Sequence, residues 1–427
     1  MENQETEIKQ GFFQSATAKM MMVGFLSLIL LIPLFFVQDL ILERSQRQKE
    51  VVEETTSKWG ENVYINGPIL RIPYKDPLTK KIQLAYFFPE NLNSSINTKM
   101  QKPLERSIYK SNVFSSAMQF SGNFSSPNFG KKNIPDENIY WNQAKIVIET
   151  NNLKSLKDEV RMKIGAQNLT FEPANSNDNI DGLESQLFDF RTIASNTTFN
   201  FDINVNGSNE IKIIPIGKTS TVKMTSDWNS PSFNGFVSPT ERNVTSSGFT
   251  AQWKVLHFNR PFAQQYFESF PNLASYGLET DFITPVNEYQ QNERASKYGF
   301  LVIGLTFLIF FLIQSISKIN IHIFQYTMIG IALVMFYTLL ISITEHSSFS
   351  FAYSIAGTAV VALITLYSIS ILKNKKFPIF IGISLSVLYT FIYVIIQLED
   401  YALLVGSIGL FMILAAVMYF SRKIEWK

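Results

Sequence analysis

Long uncharged apolar runs alternate with polar stretches along this chain. The first run covers Met20–Val37 and contains no charged residue. At about 18 residues it is long enough to cross a bilayer. Five more runs of similar length follow later in the chain, at approximately Tyr298–Ile316, Phe324–Ile343, Phe349–Leu372, Phe377–Gln397 and Tyr401–Phe420. The pattern therefore predicts six transmembrane helices, the first of them separated from the other five.

The stretch between the first and second runs, Gln38–Lys297, is polar and is expected to contain one large β-rich domain. Its opening part, Asp39–Lys58, mixes apolar with charged residues and is predicted to extend the first helix outward. Segments rich in β-branched and aromatic residues then alternate with turn-forming clusters. These segments include Lys81–Phe88, Lys145–Thr150, Thr197–Val205 and Glu210–Ile216. Asn204–Ile211 is predicted to form a hairpin, and Leu153–Asp158 one or two helical turns. One or two lobes, sandwich-like or twisted open sheets, are expected.

The polar stretch passes into the second apolar run without an obvious break. Thr284 suits a helix N-cap and Pro285 suits the first helical position. A continuous helix from there to Ile316 would be about 48 Å long. About four of its turns would project beyond the bilayer core and join the domain rigidly to the bundle. The alternative is a kinked or looped linker near Gln291.

Basic residues in the short loops fall on one face of the predicted bundle. They are Lys9, Lys19, Lys318, Lys373, Lys375, Lys376, Arg422, Lys423 and Lys427. The loops on the other face, TEHSS and QLED, contain no lysine or arginine. Since basic loops stay in the cytoplasm, we predict that both termini are cytoplasmic and that the β-rich domain is translocated. The predicted division is cytoplasmic segment 1–19, anchor 20–37, periplasmic domain 38–297, five-span bundle 298–420 and cytoplasmic tail 421–427.

Composition narrows the possible chemistry. The 427 residues include no cysteine, which excludes disulfides, thiolate catalysis and cysteine-ligated metals. A formal net charge of +2 argues against a nucleic-acid partner. The histidines His257, His322 and His346 fall in three different predicted locations, so they cannot form one metal site. Motifs for phosphate loops, dinucleotides, zinc proteases and serine hydrolases are missing. We therefore predict no catalytic residue, no cofactor and no metal.

Glu345 and His346 form the polar pair that most suggests a function, because they stand together at the predicted outer end of the third span. A histidine that titrates near neutral pH suits a local sensor or docking point. The alternative is a solvated polar loop without a specific role. If the pair is functional, replacing both residues impairs function while membrane levels stay intact.

Gln314, Arg294 and Lys297 are the other candidate functional residues. Gln314 lies near the inner end of the second span, where its amide either forms a hydrogen bond across the bundle or faces lipid headgroups. Arg294 and Lys297 lie in the polar segment just before that span, and Lys297 stands four residues after Glu293 in the order that favours an ion pair. Charged residues are missing inside the spans, which argues against a proton- or ion-coupled transporter.

Three stretches of the chain carry a family resemblance. The first is MTSDWNSPSFNGFVSPTERNVTSSGFTAQW (Met224–Trp253), which VLHFNRPFAQQY follows directly. The second is TPVNEYQQNERASKYGFLVIGLTFLIFFL together with the later FYTLLISITEHSSFSFAY, and the third is YINGPILRIPY (Tyr64–Tyr74). These resemble, in turn, the external signature, the membrane signature and an early element of the CreD family, also called cell envelope integrity proteins. The resemblance runs from the first anchor to about Tyr353 and more loosely to the end.

The sequence departs from the family pattern at three positions. Gln314 stands where a glutamate is expected, Ile323 follows His322 where proline is frequent, and Asn287 replaces an aspartate. The first departure puts a charge-based role for that position in doubt. The resemblance implies an inner-membrane protein of Gram-negative bacteria, linked to envelope integrity and to responses to cell-wall-active antibiotics. It implies no known catalytic residue.

Together these observations favour a non-enzymatic inner-membrane protein whose periplasmic domain senses or binds an envelope component. The expected partners are membrane lipids and an envelope protein or cell-wall component. A transporter or lipid-handling protein is the alternative, and it requires a polar path or a lipid groove in the bundle, seen as a stripe of Ser and Thr. A cell-wall hydrolase is a third hypothesis, and it requires clustered carboxylates in the domain.

Overall fold

The computed structural model describes residues 16–151, 153–174, 182–192, 196–282, 288–317, 319–372, 376–398 and 401–422. The chain divides into two compact units. The helical unit comprises Met1–Lys49 and Val286–Lys427, and the β unit comprises Glu50–Pro285.

Seven α-helices occur in the described residues. They are α1 (Ala16–Trp59), α2 (Glu288–Lys297), α3 (Gly299–Ser317), α4 (Ile323–Thr344), α5 (Phe349–Ile371), α6 (Lys376–Gln397) and α7 (Ala402–Ser421). All except α2 are long and apolar enough to cross a membrane, which confirms the prediction of six spanning helices. The predicted extension of the first helix beyond its apolar run is also confirmed, because α1 continues to Trp59.

One face of α1 packs into the helical unit. Its buried residues recur every three or four positions, at Leu26, Leu30, Leu34, Val37 and Ile41. Leu34 lies against Gly299 of α3 and Leu30 against Gly330 of α4. A Cβ atom at position 330 would come within 2.1 Å of a Leu30 methyl group. These glycines therefore let three membrane helices approach closely, as small residues do at helix interfaces in bilayers.

The expected rigid helix from the polar segment into the second span is wrong. Within the described residues, α2 ends at Lys297, Tyr298 forms a turn, and α3 begins at Gly299. The buried side chains of α2, which include Tyr289 and Asn292, let it pack against α4, α5 and α6. Because these contacts hold α2 against the bundle, α2 does not continue into α3 as one straight helix and does not project from the bundle. The break falls at Tyr298, not near Gln291, and the proposed cap at Thr284 and Pro285 lies outside the described residues.

The β unit contains 18 strands in its described part. They are β1 (Val63–Lys75), β2 (Ile82–Phe87), β3 (Asn91–Met100), β4 (Leu104–Arg106), β5 (Tyr109–Ser111), β6 (Val113–Phe124), β7 (Lys145–Glu149), β8 (Arg161–Ile164), β9 (Gln167–Pro173), β10 (Gly182–Ser185), β11 (Thr197–Ser208), β12 (Glu210–Ile213), β13 (Thr219–Ser226), β14 (Ser232–Gly235), β15 (Glu241–Thr245), β16 (Gly248–Leu256), β17 (Gln265–Phe267) and β18 (Leu278–Asp281). The four strand segments that the sequence predicts all form strands, and Leu153–Ser155 forms a short 3₁₀ turn.

Sixteen of these strands join in one continuous, mixed sheet. Its order is β14-β18-β12-β1-β7-β10-β9-β8-β11-β6-β3-β13-β16-β15, and β2 pairs with β1 and with β17. β3 and β11 alternate buried and exposed residues, so one face of each covers the core. β1 is buried along nearly its whole length, because β2, β7 and β12 all pair with it.

The predicted hairpin at Asn204–Ile211 is wrong. β11 and β12 are consecutive, but β11 pairs with β6 and β8, whereas β12 pairs with β1 and β18. Between them, Asn209 has a φ of 56°, the left-handed conformation that tight turns use. The residues between β11 and β12 are therefore those of a hairpin turn. The turn, however, connects two strands that pair with different partners in separate parts of the sheet.

Candidate functional site

A polar groove on the β unit is the candidate site that its side chains support best. It has a volume of about 400 Å³ and lies where β3, β13 and the β15–β16 hairpin meet. Its lining comprises Asn97, Thr98, Lys99, Thr225, Ser226, Asp227, Asn243, Thr245, Ser247, Gly248, Phe249 and Thr250. Nine of these twelve residues belong to Met224–Trp253, the stretch that resembles an external family signature.

Hydrogen bonds between strand ends fix the shape of this groove. Asp227, just after β13, accepts a hydrogen bond from the backbone N–H of Met100 at the end of β3 (2.8 Å). The hydroxyl of Thr245 donates to the carbonyl of Gly248 across the β15–β16 turn (3.0 Å). Thr98, at the floor, shares a buried hydrogen bond of 3.0 Å with Ser116.

Gly248 shapes the groove through its backbone. Its φ is 138°, a conformation that side-chain-bearing residues rarely adopt. A Cβ atom there would lie 2.1 Å from the carbonyl oxygen of Ser226. The turn can close against β13 in this way because residue 248 has no side chain.

Hydroxyl and amide groups dominate the groove, and they both donate and accept hydrogen bonds. Asn97, Asn243 and Thr250 are exposed to solvent and available for contact. Among the lining residues, Lys99 and Asp227 alone carry charge. Such a lining suits a ligand that is itself rich in hydroxyl and amide groups.

Glu345 pairs with a residue that the sequence did not single out. It caps the end of α4, and its Oε1 lies 3.6 Å from Nε of Arg44 on α1. Arg44 follows Ile41 by three residues, so it continues the stripe by which α1 packs on the bundle. At the other end of the stripe, Lys19 donates to Asn320 (2.7 Å). Polar contacts therefore hold both ends of the packed part of α1.

His346 is exposed, and its backbone N–H donates to the carbonyl of Ile343 (3.0 Å). It follows Glu345 in the turn after α4. The geometry gives Glu345 a contact to α1. A sensing or docking role for the pair stays a prediction.

Gln314 is buried between two spans. Its side-chain carbonyl accepts a hydrogen bond of 3.0 Å from the hydroxyl of Tyr326, which links α3 to α4. Of the two interpretations above, the structure therefore shows the hydrogen bond across the bundle. Tyr326 and Glu345 are separated by about 29 Å along α4, so the structure does not bring Gln314 and Glu345 together.

Arg294 and Lys297 lie on the exposed side of α2. Lys297 forms an ion pair of 2.8 Å with Glu293, in the i,i+4 arrangement that the sequence predicts. The opposite side of α2 is buried, and Gln38 of α1 donates to the carbonyl of Ser296 there (3.0 Å). A functional role for these two basic residues stays a prediction.

An acidic cluster on the β unit is neutralised in part by a lysine side chain. Oxygens of Glu210, Glu279 and Asp281 lie within 4.8 Å of one another, as in a metal site. The ammonium group of Lys212, however, lies 2.8 Å from Glu279 and 3.1 Å from Glu210. Burial raises the pKa of Glu210 and of Asp281 above the ordinary value of a carboxyl group. We therefore interpret the cluster as a structural charge network across β12 and β18.

Arg71, in the early motif YINGPILRIPY, forms a buried ion pair. Its guanidinium lies 2.8 Å from Glu184 of β10, and Lys145 of β7 lies 2.6 Å from the other carboxylate oxygen. Burial acts to raise the pKa of Glu184, but Lys145 and Arg71 outweigh it and hold that pKa below its ordinary value. The motif thus contributes a charge network to the core of the β unit.

A stripe of hydroxyl groups lines a groove of about 630 Å³ between α5 and α6. Ser354 and Thr365 donate to carbonyls four residues earlier in α5. Ser386 and Thr390 do the same in α6. These donors are satisfied within their own helices, so they do not form a chain of groups that would pass a polar substrate along the bundle.

Sequence reasoning missed the polar groove and Arg44. The groove combines residues from three separate stretches, and only the high Asn, Ser and Thr content of Met224–Trp253 gave a local signal. Arg44 could have been found by extending the Leu26–Ile41 stripe by one step. The buried pair of Arg71 and Glu184 had no local signal, because 113 residues separate its members.

Comparisons with known proteins identify a family for the whole chain. A family model described as inner membrane protein CreD matches residues 15–427. Inner membrane protein CreD from Escherichia coli K12 is 27% identical over 417 residues, which cover 93% of this chain and 91% of that protein. The crystal structure of a putative nutrient binding protein from Legionella pneumophila is 8% identical and covers 58% of this chain and 79% of that chain. Its TM-score of 0.28 is too low to support an argument.

Proposed function

We propose that this chain, which belongs to the CreD family of inner-membrane proteins, exposes its β unit to the periplasm and binds there a component of the cell envelope. In this proposal the bound component is rich in hydroxyl and amide groups, as an N-acetylated glycan strand is. The protein acts by binding and catalyses no reaction.

The distribution of basic residues supports this orientation. Lysine and arginine occur in the short loops on one face of the bundle and are missing from TEHSS and QLED on the other. Basic loops remain cytoplasmic. The N-terminal segment contains Lys9 and Lys19, and the tail contains Arg422, Lys423 and Lys427. Both termini are therefore proposed to be cytoplasmic, and the β unit then lies across the membrane from them.

The polar groove is the observation that carries the binding proposal. It is concave, has a volume within the range of small-ligand sites, and is lined by neutral donors and acceptors. The exposed amides of Asn97 and Asn243 approach it from different strands. Hydroxyl and amide groups on a glycan are matched by such side chains without the cost of burying an unpaired charge.

The groove's charges argue against a hydrolase. Glycoside hydrolysis ordinarily requires two carboxyl groups on either side of the bond that is cut. Among the lining residues, Asp227 is the one carboxylate, and it already accepts a hydrogen bond from Met100. A transporter is not favoured either, because hydroxyl groups of the stripe between α5 and α6 donate to their own helices.

The test uses the full chain in lipid nanodiscs with soluble glycan fragments released from cell walls. Asn97→Ala is compared with Asn93→Ala, which alters an exposed asparagine on the same face of β3 outside the groove. We expect binding to weaken about tenfold or more for Asn97→Ala, because a hydrogen bond in the groove is lost. We expect Asn93→Ala to bind as the unaltered protein does.

Two outcomes would contradict the binding part of the proposal. One is the absence of glycan binding by the unaltered chain at millimolar concentration. The other is an equal effect of the two asparagine replacements, which would place any binding outside the groove. Release of shortened glycan products during the assay would refute the non-catalytic part.

A further inference from the structure

A second groove, in the helical unit, has the dimensions and chemistry of a lipid site. It lies between α3, α6 and α7 and has a volume of about 720 Å³. Its walls are almost wholly apolar, with Leu, Ile, Phe, Val and Ala side chains from all three helices. The polar side chains in its lining are Ser317, Lys376 and Ser384.

Two of these polar side chains, Ser317 and Lys376, lie at one end of the groove, and Ser384 lies farther along α6. α3 ends at Ser317, and α6 begins at Lys376, so both mark the same end. From Leu305 to Ser317 the α3 wall is about 18 Å long. One leaflet of a bilayer core is about 15 Å deep. The groove therefore has the length of one leaflet and a single cationic mouth.

α7 packs in a way that leaves this space for a ligand. It contacts α6, but none of its residues is buried within the chain. Phe391 of α6 lies against Gly409, which brings the two helices together at the far end of the groove. Between Gly409 and Phe420, α7 forms a wall of the open groove.

Charge determines which amphiphile suits this groove. Lys376 is the last of the basic residues in KNKK, and it is the one cationic residue in the lining of the groove. Basic pockets between membrane helices attract anionic headgroups. A zwitterionic lipid fits the apolar walls equally well but gains less from the ammonium group.

We propose that the groove between α3, α6 and α7 binds one anionic glycerophospholipid, whose acyl chains lie along the apolar walls and whose phosphate lies beside Lys376. The lipid completes the packing of α7 on the bundle. This inference goes beyond the glycan-binding proposal and does not depend on it, because the two grooves lie in different units.

The test measures phospholipid that remains on the full-length protein after purification in mild detergent, by native mass spectrometry. Ala416→Trp fills the groove from α7, whereas Ala415→Trp places the same side chain on the neighbouring exposed position outside the lining. Lys376→Gln removes the charge at the mouth. Arg422→Gln removes a charge at the same end of the bundle from a residue outside the lining.

We expect the unaltered protein to retain one anionic phospholipid in preference to phosphatidylethanolamine. Ala416→Trp should abolish this retention, and Ala415→Trp should keep it. Lys376→Gln should reduce the preference for anionic lipid about fivefold, the effect of one basic residue near a charged surface. Arg422→Gln should leave it unchanged.

Three results would overturn the inference. Equal lipid loss from the two tryptophan variants would mean that the retained lipid is non-specific annular lipid and is not bound in the groove. An unchanged headgroup preference in Lys376→Gln would remove the phosphate contact. A shift from dimer to monomer in Ala416→Trp without lipid loss would assign the groove to a second copy of the chain. If Ala416→Trp fails to accumulate, Val417→Phe enlarges the next lining residue and repeats the test.

Discussion

Arg44 and Glu345 form an ion pair of 3.6 Å that connects α1 to the end of α4. The sequence singled out Glu345 as part of a polar turn but did not single out Arg44, which lies in the predicted extension of the first helix. Their contact shows that the turn after α4 takes part in holding α1. Arg44 is 45% exposed and Glu345 19% exposed, so water screens the attraction.

We predict a small but measurable coupling between these two residues. Arg44→Gln, Glu345→Gln and the double variant form a cycle whose coupling energy should be about 1 kcal/mol or less, as for partly exposed pairs. Thermal unfolding in detergent at low and high salt measures it, and salt should reduce it. His346→Gln is the matched control and should not couple to Arg44. Coupling that is unchanged by salt would contradict an electrostatic origin.

A functional role for Glu345 and His346 in the turn after α4 predicts a different result. Replacing Glu345 and His346 together by Gln should weaken the envelope barrier in a strain without the native gene, while membrane levels stay intact. Entry of a dye that an intact outer membrane excludes measures this. Arg44→Gln is the control, because an equal defect there would assign the effect to the ion pair. A double variant that restores the full barrier would exclude the role.

Glu184→Gln should destabilise the β unit by about 3–5 kcal/mol, because it removes the carboxylate that forms the buried ion pair with Arg71 and also pairs with Lys145. Tryptophan fluorescence, to which the buried Trp253 contributes, follows urea unfolding and measures the free energy of unfolding. The control is Glu172→Gln, an exposed residue that faces Glu184 on β9, with an expected change within about 0.5 kcal/mol. Equal effects would contradict the prediction.

The same carboxylate predicts a dependence on pH. The pKa of Glu184 is lowered in the folded state, so the folded protein holds its proton less tightly than the unfolded chain does. Its contribution to stability is therefore complete above the unfolded pKa of about 4.3. It is lost as the pH falls from there through the lower folded pKa. Glu184→Gln should remove this part of the acid sensitivity, and an unchanged acid profile would contradict it.

The natural lack of cysteine allows a direct test of orientation. Ser95→Cys introduces a thiol at an exposed position on β3, and Arg422→Cys does so after α7. On intact spheroplasts, a maleimide that cannot cross the membrane should label the first variant only. After permeabilisation both should react. Labelling of Arg422→Cys on intact spheroplasts would reverse the proposed orientation.

The membrane helices were predictable because each is specified by its own residues. A run of about 20 apolar residues cannot lie in water and has few alternatives to a spanning helix. The strands were predictable for a similar local reason, as Thr197–Val205 alternates apolar and polar side chains. Whether a segment forms a helix or a strand therefore depends mainly on the residues of that segment.

Pairing and packing were not encoded locally. Asn209 forms a tight turn, but nothing near it distinguishes a hairpin from a corner, because the partners of β12 lie in β1 and β18. The break at Tyr298 likewise depends on the packing of α2 against distant helices. The polar groove unites three stretches, so its existence depends on sheet order that local pattern does not reveal.

The position of β12 in the sheet has a consequence for biosynthesis. It lies between β1, the first strand of the β unit, and β18, the last. This part of the sheet cannot be completed until the ribosome has made β18. Until then β12 presents an unpaired edge, which invites aggregation. We therefore expect newly made chains to require protection by chaperones before the last strand arrives, and in the proposed orientation these are periplasmic chaperones.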